Sequence, residues 1–520
     1  MQKRIQDKDI EFFLFVLFFI FMVIYYAYRI FAHSPWYDEL YTYYFFISRG
    51  PIYSAIHWPV PNNHIGYSVI SGFIYELTHN SFVSLRGLSF LASSANIVLI
   101  FAFCRRLFNR NYSIVATALY AGMWLVNNLS VQGRGYSLST TMMLMCAYAL
   151  VCIALDGEVR KKYYVFWTIA LCYGLYIVSS SLYWVIPICI CAGISLLILK
   201  RYRELIKLIA CSFVSAFATA LLYLIVWLAI GSNLLIKESA EFAGMGHVKL
   251  ISNHPVKAAA RGIEYMLATP YIQSVSKVGY RNSFGDHWIT LLGQMYGATS
   301  IVLIGVFMSV VFAAVLIAGF FLYMNKQDDE SQLRFQAMKK DLLLAVFVLT
   351  MVVFTPAVVF MQVKLPYYRV FSFYGVTVAV ALTFVLYTLF AKVRPAFTFV
   401  IPVLFIVFSI AQLISADYNE SYGYREQAAY DLMVDNDLTE YRSVAITDCN
   451  QEYMYKFVYG IQNENRDIES SEAIIIEKSM LDPEGEEEWE FYYDYNTLPL
   501  NDINNRTLKY ENDFYALYIQ

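Results

Sequence analysis

Charge is scarce in this chain. Asp, Glu, Lys and Arg make up only 15% of its 520 residues, where a soluble protein carries about 25%. That shortage, beside 58% hydrophobic residues, excludes an ordinary soluble enzyme and a disordered chain alike. Cysteine motifs are missing as well. Seven of the eight cysteines (Cys104, Cys146, Cys152, Cys172, Cys189, Cys191, Cys211) lie in or beside apolar runs, and Cys449 stands alone near the C-terminus. No CxxC pair or Cys/His metal spacing occurs, so no disulfide framework is implied. There is no Walker A motif, no GxGxxG and no HExxH, which argues against a nucleotide-driven pump. A cytoplasmic nucleotide-sugar site has no candidate acid cluster either. What the chain has in quantity is apolar sequence, with 18% aromatics and a mean hydropathy of +0.48. A polytopic membrane protein follows.

Windows of about 20 apolar residues fall near 10–31, 83–104, 112–130, 136–155, 163–181, 182–199, 208–230, 296–324, 341–362, 370–391 and 396–415. They predict a polytopic α-helical protein with about eleven transmembrane helices, although 163–199 reads equally as two short spans or one re-entrant piece. The first window is too long for a cleavable signal peptide, and no small-residue cleavage site precedes Pro35. The net charge of −3 conceals two opposed parts. Residues 1–416 hold 31 Lys and Arg against 17 Asp and Glu, a net of +14. Residues 417–520 hold 7 against 24, a net of −17, which argues against nucleic acid as a partner. Of the 31 body cations, 19 cluster at the N-terminus and in alternate short loops: 105–110, 160–162, 200–207, 326–340 and 392–394. The positive-inside rule makes these segments cytoplasmic. An odd span count then places the C-terminal tail outside. Two external segments, 32–82 and 231–295, are too long to be plain connectors. The first is rich in aromatics suited to helices lying in the membrane interface.

The chain thus divides into a transmembrane body, 1–415, and an acidic tail, 416–520. The tail predicts helices at 424–434 and 450–459 and strands at 443–447, 473–477, 489–494 and 513–519, a small α/β domain. LDPEGEEEWE (481–490) reads as a solvated acidic loop.

Candidate chemistry gathers on the external side. Asp38 and Glu39 follow the first span among aromatics, and acids at membrane depth are functional candidates by default. On a helix they point about 100° apart. Asp38 then shares a face with Tyr41 and Thr42, and Glu39 with Tyr43. Pro59 and Pro61 force a turn before Asn62, Asn63 and His64, where a helix can start and an Asn can cap it. Capping does not account for His64 or His57, either of which could take a proton, bind a sugar hydroxyl or ligate a metal. Arg86 enters the second span from outside. Arg134 sits between Gly133 and Gly135 ahead of Tyr136, offering a planar fork for phosphate or carboxylate, or snorkelling to headgroups. Lys364 and Arg369 flank Pro366 in a short external turn. A phosphate-bearing lipid or anionic headgroups would both explain these two cations. All seven histidines fall in external segments. They leave a divalent metal open, with no spacing that demands one.

The order of these elements resembles the GT-C superfamily of membrane glycosyltransferases, in particular the bacterial relatives of protein O-mannosyltransferases and of the lipid A aminoarabinose transferase. The elements are Asp38-Glu39 after the first span, Pro-Asn-Asn-His at 61–64, Arg86, Arg-Gly-Tyr at 134–136 and the late Arg369. The resemblance covers 1–415 and implies transfer of a sugar, with inversion, from a polyprenyl-phosphate carrier to an envelope glycan, lipid or protein on the external face. It implies Asp38 as the catalytic acidic residue, acting as general base toward the acceptor hydroxyl or orienting it, with Glu39 in support. It further implies a substrate and lipid-phosphate set drawn from Arg134, Arg369, Lys364, Arg86, Tyr136, His64 and Asn63. The tail matches none of the periplasmic domains associated with those relatives. A flippase of lipid-linked glycans, which needs no base, and a non-catalytic envelope scaffold are the competing readings.

Overall fold

An apolar run in lipid must satisfy its backbone internally, so each becomes a helix. The computed structural model describes residues 2–58, 62–108, 111–268, 277–324, 329–362, 365–390, 397–416, 423–485 and 488–520. Among them, seven helical stretches are long and apolar enough to cross a bilayer: Ile10–Ala32, Ser81–Leu107, Tyr136–Leu155, Ser179–Ile198, Tyr202–Glu238, Thr299–Leu322 and Met338–Gln362. Shorter apolar helices run over Tyr112–Ala121, Tyr374–Phe390 and Val400–Ser415. The fold is that of a multi-span helical membrane protein, with seven such helices among the described residues where the sequence predicts about eleven.

The departures from the expected spans have local causes. The window at 112–130 is not one helix. It breaks at Gly122 into Tyr112–Ala121 and Trp124–Asn128. The Asn127 side-chain amide donates to the carbonyls of Ala121 and, at 3.0 Å, Met123, satisfying groups freed by the break. The 163–199 stretch is two helices, Lys161–Ile177 and Leu182–Ile198, joined by a short turn at Ser179–Ser181. The long first connector holds three helices. We label the first span α1 (Gln2–Ala32), then α2 (Tyr37–Phe45), α3 (Pro51–Ile56) and α4 (Ile65–Thr78). The second span is α5 (Ser81–Leu107), opened by Asn80, whose side chain accepts from Val83 N at 2.9 Å.

The tail folds around a four-stranded sheet of order β1-β2-β4-β3, with β1 (Val444–Ile446), β2 (Ala473–Glu477), β3 (Thr507–Glu511) and β4 (Tyr515–Ile519). Strand β1 runs parallel to β2, and the other pairs are antiparallel. Helices Tyr424–Asp435 and Cys449–Tyr459 lie where the sequence places them. The strand expected at 489–494 is absent. Only an isolated bridge joins Phe491 to Asp448. Strand β3 was not foreseen because it is a largely exposed edge strand, with no buried face to impose an apolar alternation.

One tail acid carries a testable charge. Asp448 is fully buried and caps the helix Cys449–Tyr459, accepting from Gln451 N at 2.7 Å and Gln451 Nε2 at 2.9 Å. Arg425 lies 3.7 Å away and also pairs with Glu477 and, at 3.0 Å, Glu490. Burial outweighs the pull of Arg425 and pushes Asp448 up to about 7 from its ordinary 3.8. A carboxyl raised on folding stabilises fully below its unfolded value, and that contribution is lost as pH rises through the folded value. The stability advantage of the wild type over Asp448→Asn is therefore expected to shrink roughly tenfold or more, as a ratio of protease-cleavage rates within the tail, between pH 4 and 8. A ratio independent of pH would refute the shift.

Candidate active site

The two acids of α2 have separate fates because a helix turns them apart. Glu39 is completely buried and grips Arg86 in a fork, Nε to Oε1 at 2.9 Å and Nη2 to Oε2 at 2.8 Å. Its oxygens also accept from Trp36 N at 3.0 Å, closing the first turn of α2, and from Gly133 N at 2.5 Å. The remaining donors of Arg86 go to the carbonyls of Ile30 (2.9 Å), His33 (2.7 Å) and Ser34 (2.9 Å). All five N–H groups of this guanidinium are thereby taken by protein. The sequence offered Arg86 to a lipid phosphate and Glu39 to catalysis. In the structure the pair instead ties the end of α1, the start of α2, α5 and the Gly133 turn together. Asn63 is redirected in the same way. Its side chain does not cap α4 but closes the C-terminus of α3: Nδ2 donates to Ser54 O (3.0 Å) and His57 O (2.7 Å) while Oδ1 accepts from Ser68 (2.8 Å). His64 occupies the N-cap of α4, also without a capping bond from its side chain.

Asp38 faces the other way, at the edge of the body. Arg369 Nη2 lies 2.9 Å from its Oδ2. That approach is an ion pair out of hydrogen-bond alignment, so Oδ2 keeps an unfilled acceptor direction. Asn62 Nδ2 is 3.5 Å from Oδ1. Arg134, almost wholly buried, donates from Nη1 to Asp38 O (3.2 Å) and Thr42 Oγ1 (2.6 Å), and from Nη2 to Asn62. Its Nε–H has no acceptor. Asn62 thus links Arg134 to Asp38. Sequence reasoning passed over it as half of a cap pair, and its only signal was its place beside His64.

His64 completes the cluster. Gly135 N donates to its Nδ1 at 2.8 Å, so the neutral ring carries its hydrogen on Nε2, 3.3 Å from Nη2 of Arg134. Burial, then the charges of Arg134 and Arg369, hold the His64 pKa well below its usual value and keep the ring neutral. Only glycine fits at 135. A Cβ there would meet Ile177 Cγ2 at 2.6 Å and His64 Nδ1 at 3.1 Å. Tyr136 stands edge-on to His64 with ring centroids 4.7 Å apart, and its hydroxyl lies toward Arg369. Arg369 is half-buried over the rings of Trp36 (5.0 Å) and Tyr367 (4.4 Å), two aromatic supports the sequence did not single out.

The arrangement is one carboxylate ion-paired to Arg369, on a residue whose backbone carbonyl meets Arg134, which in turn lies against His64. Two donors, Arg134 Nη2 and His64 Nε2–H, confront each other with no acceptor between them, a geometry that favours an anion. Lys364 lies outside the described residues, as do Pro59 and Pro61. Among the described residues, no group of three or more His, Cys, Asp or Glu is placed to hold a metal ion. His247, His254 and His287 are dispersed, against Ser232, Phe242 and Tyr368 respectively.

Residues 64–237 match the profile of the dolichyl-phosphate-mannose-protein mannosyltransferase family. No curated protein matches the chain by sequence. Similar solved structures include the archaeal oligosaccharyltransferase AglB from Archaeoglobus fulgidus in complex with an inhibitory peptide and a dolichol-phosphate. It is 11% identical at a TM-score of 0.45, over 86% of this chain and 64% of that one. A second is an Archaeoglobus fulgidus oligosaccharyltransferase complex with Zn and sulfate, 14% identical at a TM-score of 0.37, over 85% of this chain and 61% of that one. The chain spans less than two thirds of the length of either. The profile match supports the GT-C superfamily, and its segment contains His64, Arg86, Arg134 and Tyr136.

Proposed function

From the premise that residues 64–237 carry a GT-C glycosyltransferase signature, we propose that the protein transfers a sugar from a polyprenyl-phosphate-linked donor to a hydroxyl of a cell-envelope acceptor, with inversion. The observation that carries this reading is the Asp38 carboxylate, paired with Arg369 and with no hydrogen bond to its Oδ2, next to the buried Arg134 and His64. As the acceptor oxygen bonds to the anomeric carbon, Asp38 takes its proton. The bond from that carbon to the phosphate oxygen breaks, and the electron pair leaves on polyprenyl phosphate. Arg134, His64 Nε2–H and Arg369 stabilise the charge that gathers there. Tyr136 orients Arg369. Lys364 joins the phosphate set by its sequence position beside Pro366. The role of Arg369 is double. Paired with Asp38 in the structure, it shifts to the incoming phosphate and releases the carboxylate for the acceptor.

Glu39, Arg86 and Asn63 are scaffold in this reading. The chain works as a catalytic body, 1–415, with a tail, 416–520. The loop charges support a cytoplasmic N-terminus and an external site and tail in the cell membrane. The test supplies purified protein with polyprenyl-phosphate-linked sugars and envelope acceptors, and follows release of polyprenyl phosphate. Movement of the intact lipid-linked sugar across vesicles without release would establish the flippase instead. Arg369→Ala is expected to raise KM for the donor roughly 10- to 100-fold, the worth of one or two charge-assisted bonds. An unchanged KM would remove Arg369 from the phosphate set.

A further inference from the structure

The tail meets the body along the helix that bears Asp38. Tyr37, Tyr41, Tyr44 and Phe45 recur at helical spacing and form one face of α2. They surround a single tail side chain, Tyr453 of the helix Cys449–Tyr459, with ring centroids at 5.9, 6.1, 4.7 and 5.4 Å in that order. The Tyr44 hydroxyl donates to Glu452 and accepts from Gln462 Nε2 at 2.6 Å. Phe457 packs on Tyr43 (5.2 Å) and on Phe82 of α5 (4.8 Å). At the entrance to α2, Ser34 N donates to Gln427 Oε1 at 3.0 Å, and Gln427 is itself anchored through Nε2 to Asp431 at 2.7 Å. The backbone N–H of Tyr37 faces the Glu426 carboxyl.

The flank of α2 next to that face carries Asp38 and Thr42, whose backbone carbonyl and hydroxyl accept from Arg134. A helix of nine residues has little stability of its own, so its neighbours decide where it sits. Without the tail, four aromatic rings of α2 would lose their packing, and the Ser34 N–H would lose its acceptor. We propose that the C-terminal α/β domain is a positioning domain of the active site, in which Tyr453 and Gln427 clamp α2 from outside and hold Asp38 in register with Arg134 and Arg369. This inference rests on the reading of Asp38 as the base. Tyr453 and Gln427 touch no reacting atom and act through α2.

The test uses the full chain in lipid nanodiscs, with Tyr453→Leu/Gln427→Ala as the perturbed protein and Tyr453→Phe as the conservative one. Amide hydrogen exchange over residues 34–45 is expected to run at least about tenfold faster in the double variant, to stay unchanged in Tyr453→Phe, and to stay unchanged in the spans of both. Polyprenyl phosphate binding, which the body supplies, is expected to hold. The kcat for transfer from a polyprenyl-phosphate-linked sugar is expected to fall roughly 100-fold, the scale of an ångström misplacement, with Tyr453→Phe restoring it. Unchanged exchange over 34–45 in a protein that transfers sugar overturns the clamp and leaves the glycosyltransfer reading standing. Faster exchange in a protein whose parent transfers no sugar supports the clamp and overturns that reading. If the double variant fails to insert, Gln427→Ala alone is read by the same exchange measurement.

Discussion

Asp38→Asn is expected to lower sugar transfer roughly 1000-fold while the protein folds and inserts as before. An asparagine keeps the shape and loses the basicity, and a positioned base contributes about 10²–10⁴ to rate. The fold is insulated from the change because the buried pair of Glu39 and Arg86, one helical step away, makes its own bonds. Donor binding supplies a second check. Arg369 no longer faces a carboxylate at 2.9 Å, so polyprenyl phosphate binds as well as before or a few-fold tighter. Turnover measured as released polyprenyl phosphate, beside binding of the same lipid, separates the two effects. Full turnover in Asp38→Asn would sink the assignment of the base. Equal loss of turnover and binding would move Asp38 from proton transfer to donor recognition.

Arg86→Ala is expected to be the most destabilising single change near the site. It strands the Glu39 carboxylate in a buried place and removes the donors from the carbonyls of Ile30, His33 and Ser34. Removing one partner of a buried ion pair costs about 3–5 kcal/mol, a large share of the 5–15 kcal/mol typical of a folded protein. Little folded protein should be recovered from membranes, as judged by size-exclusion profile and thermal unfolding in detergent. The double change Arg86→Met/Glu39→Met is expected to recover only part of it, since an apolar pair leaves no buried charge but strands the N–H groups of Trp36 and Gly133 and the carbonyls of Ile30, His33 and Ser34. If Arg86→Ala were as stable as the wild type and had merely lost donor affinity, its place would be in the phosphate site after all.

These two residues show where reading the sequence succeeds and where it stops. Asp38 and Glu39 are adjacent, and both carry the same signal, an acid among aromatics at the end of a span. The 100° step between them was legible, and Arg134 now bonds the Asp38 backbone carbonyl and the Thr42 hydroxyl together. Which acid pairs with Arg86 and which with Arg369 was not legible, because both arginines come from distant segments of the chain. Arg86 looked like a phosphate ligand for the same reason that it is a good strut. A guanidinium entering a span must find acceptors, and the sequence does not say whether they belong to lipid or to protein. Asn62 and Asn63 divide similarly, one bonded to Arg134 and the other to the carbonyls of its own loop.

By itself, the sequence determined the helical membrane body, the acidic α/β tail with most of its elements, and the gathering of charged side chains at one end of the bundle. Those follow from local quantities, namely the length of apolar runs, the alternation of loop charge and helical spacing, which neighbours along the chain are enough to set. The tertiary structure decided the pairings: Glu39 with Arg86, Asp38 with Arg369, Arg134 with Thr42 and His64, and Tyr453 of the tail with α2. Pairings across tens to hundreds of residues depend on which donors and acceptors are left over once the helices have packed. A buried ion pair also forms only where all its partners arrive together, which is a property of the packed bundle and of no single segment.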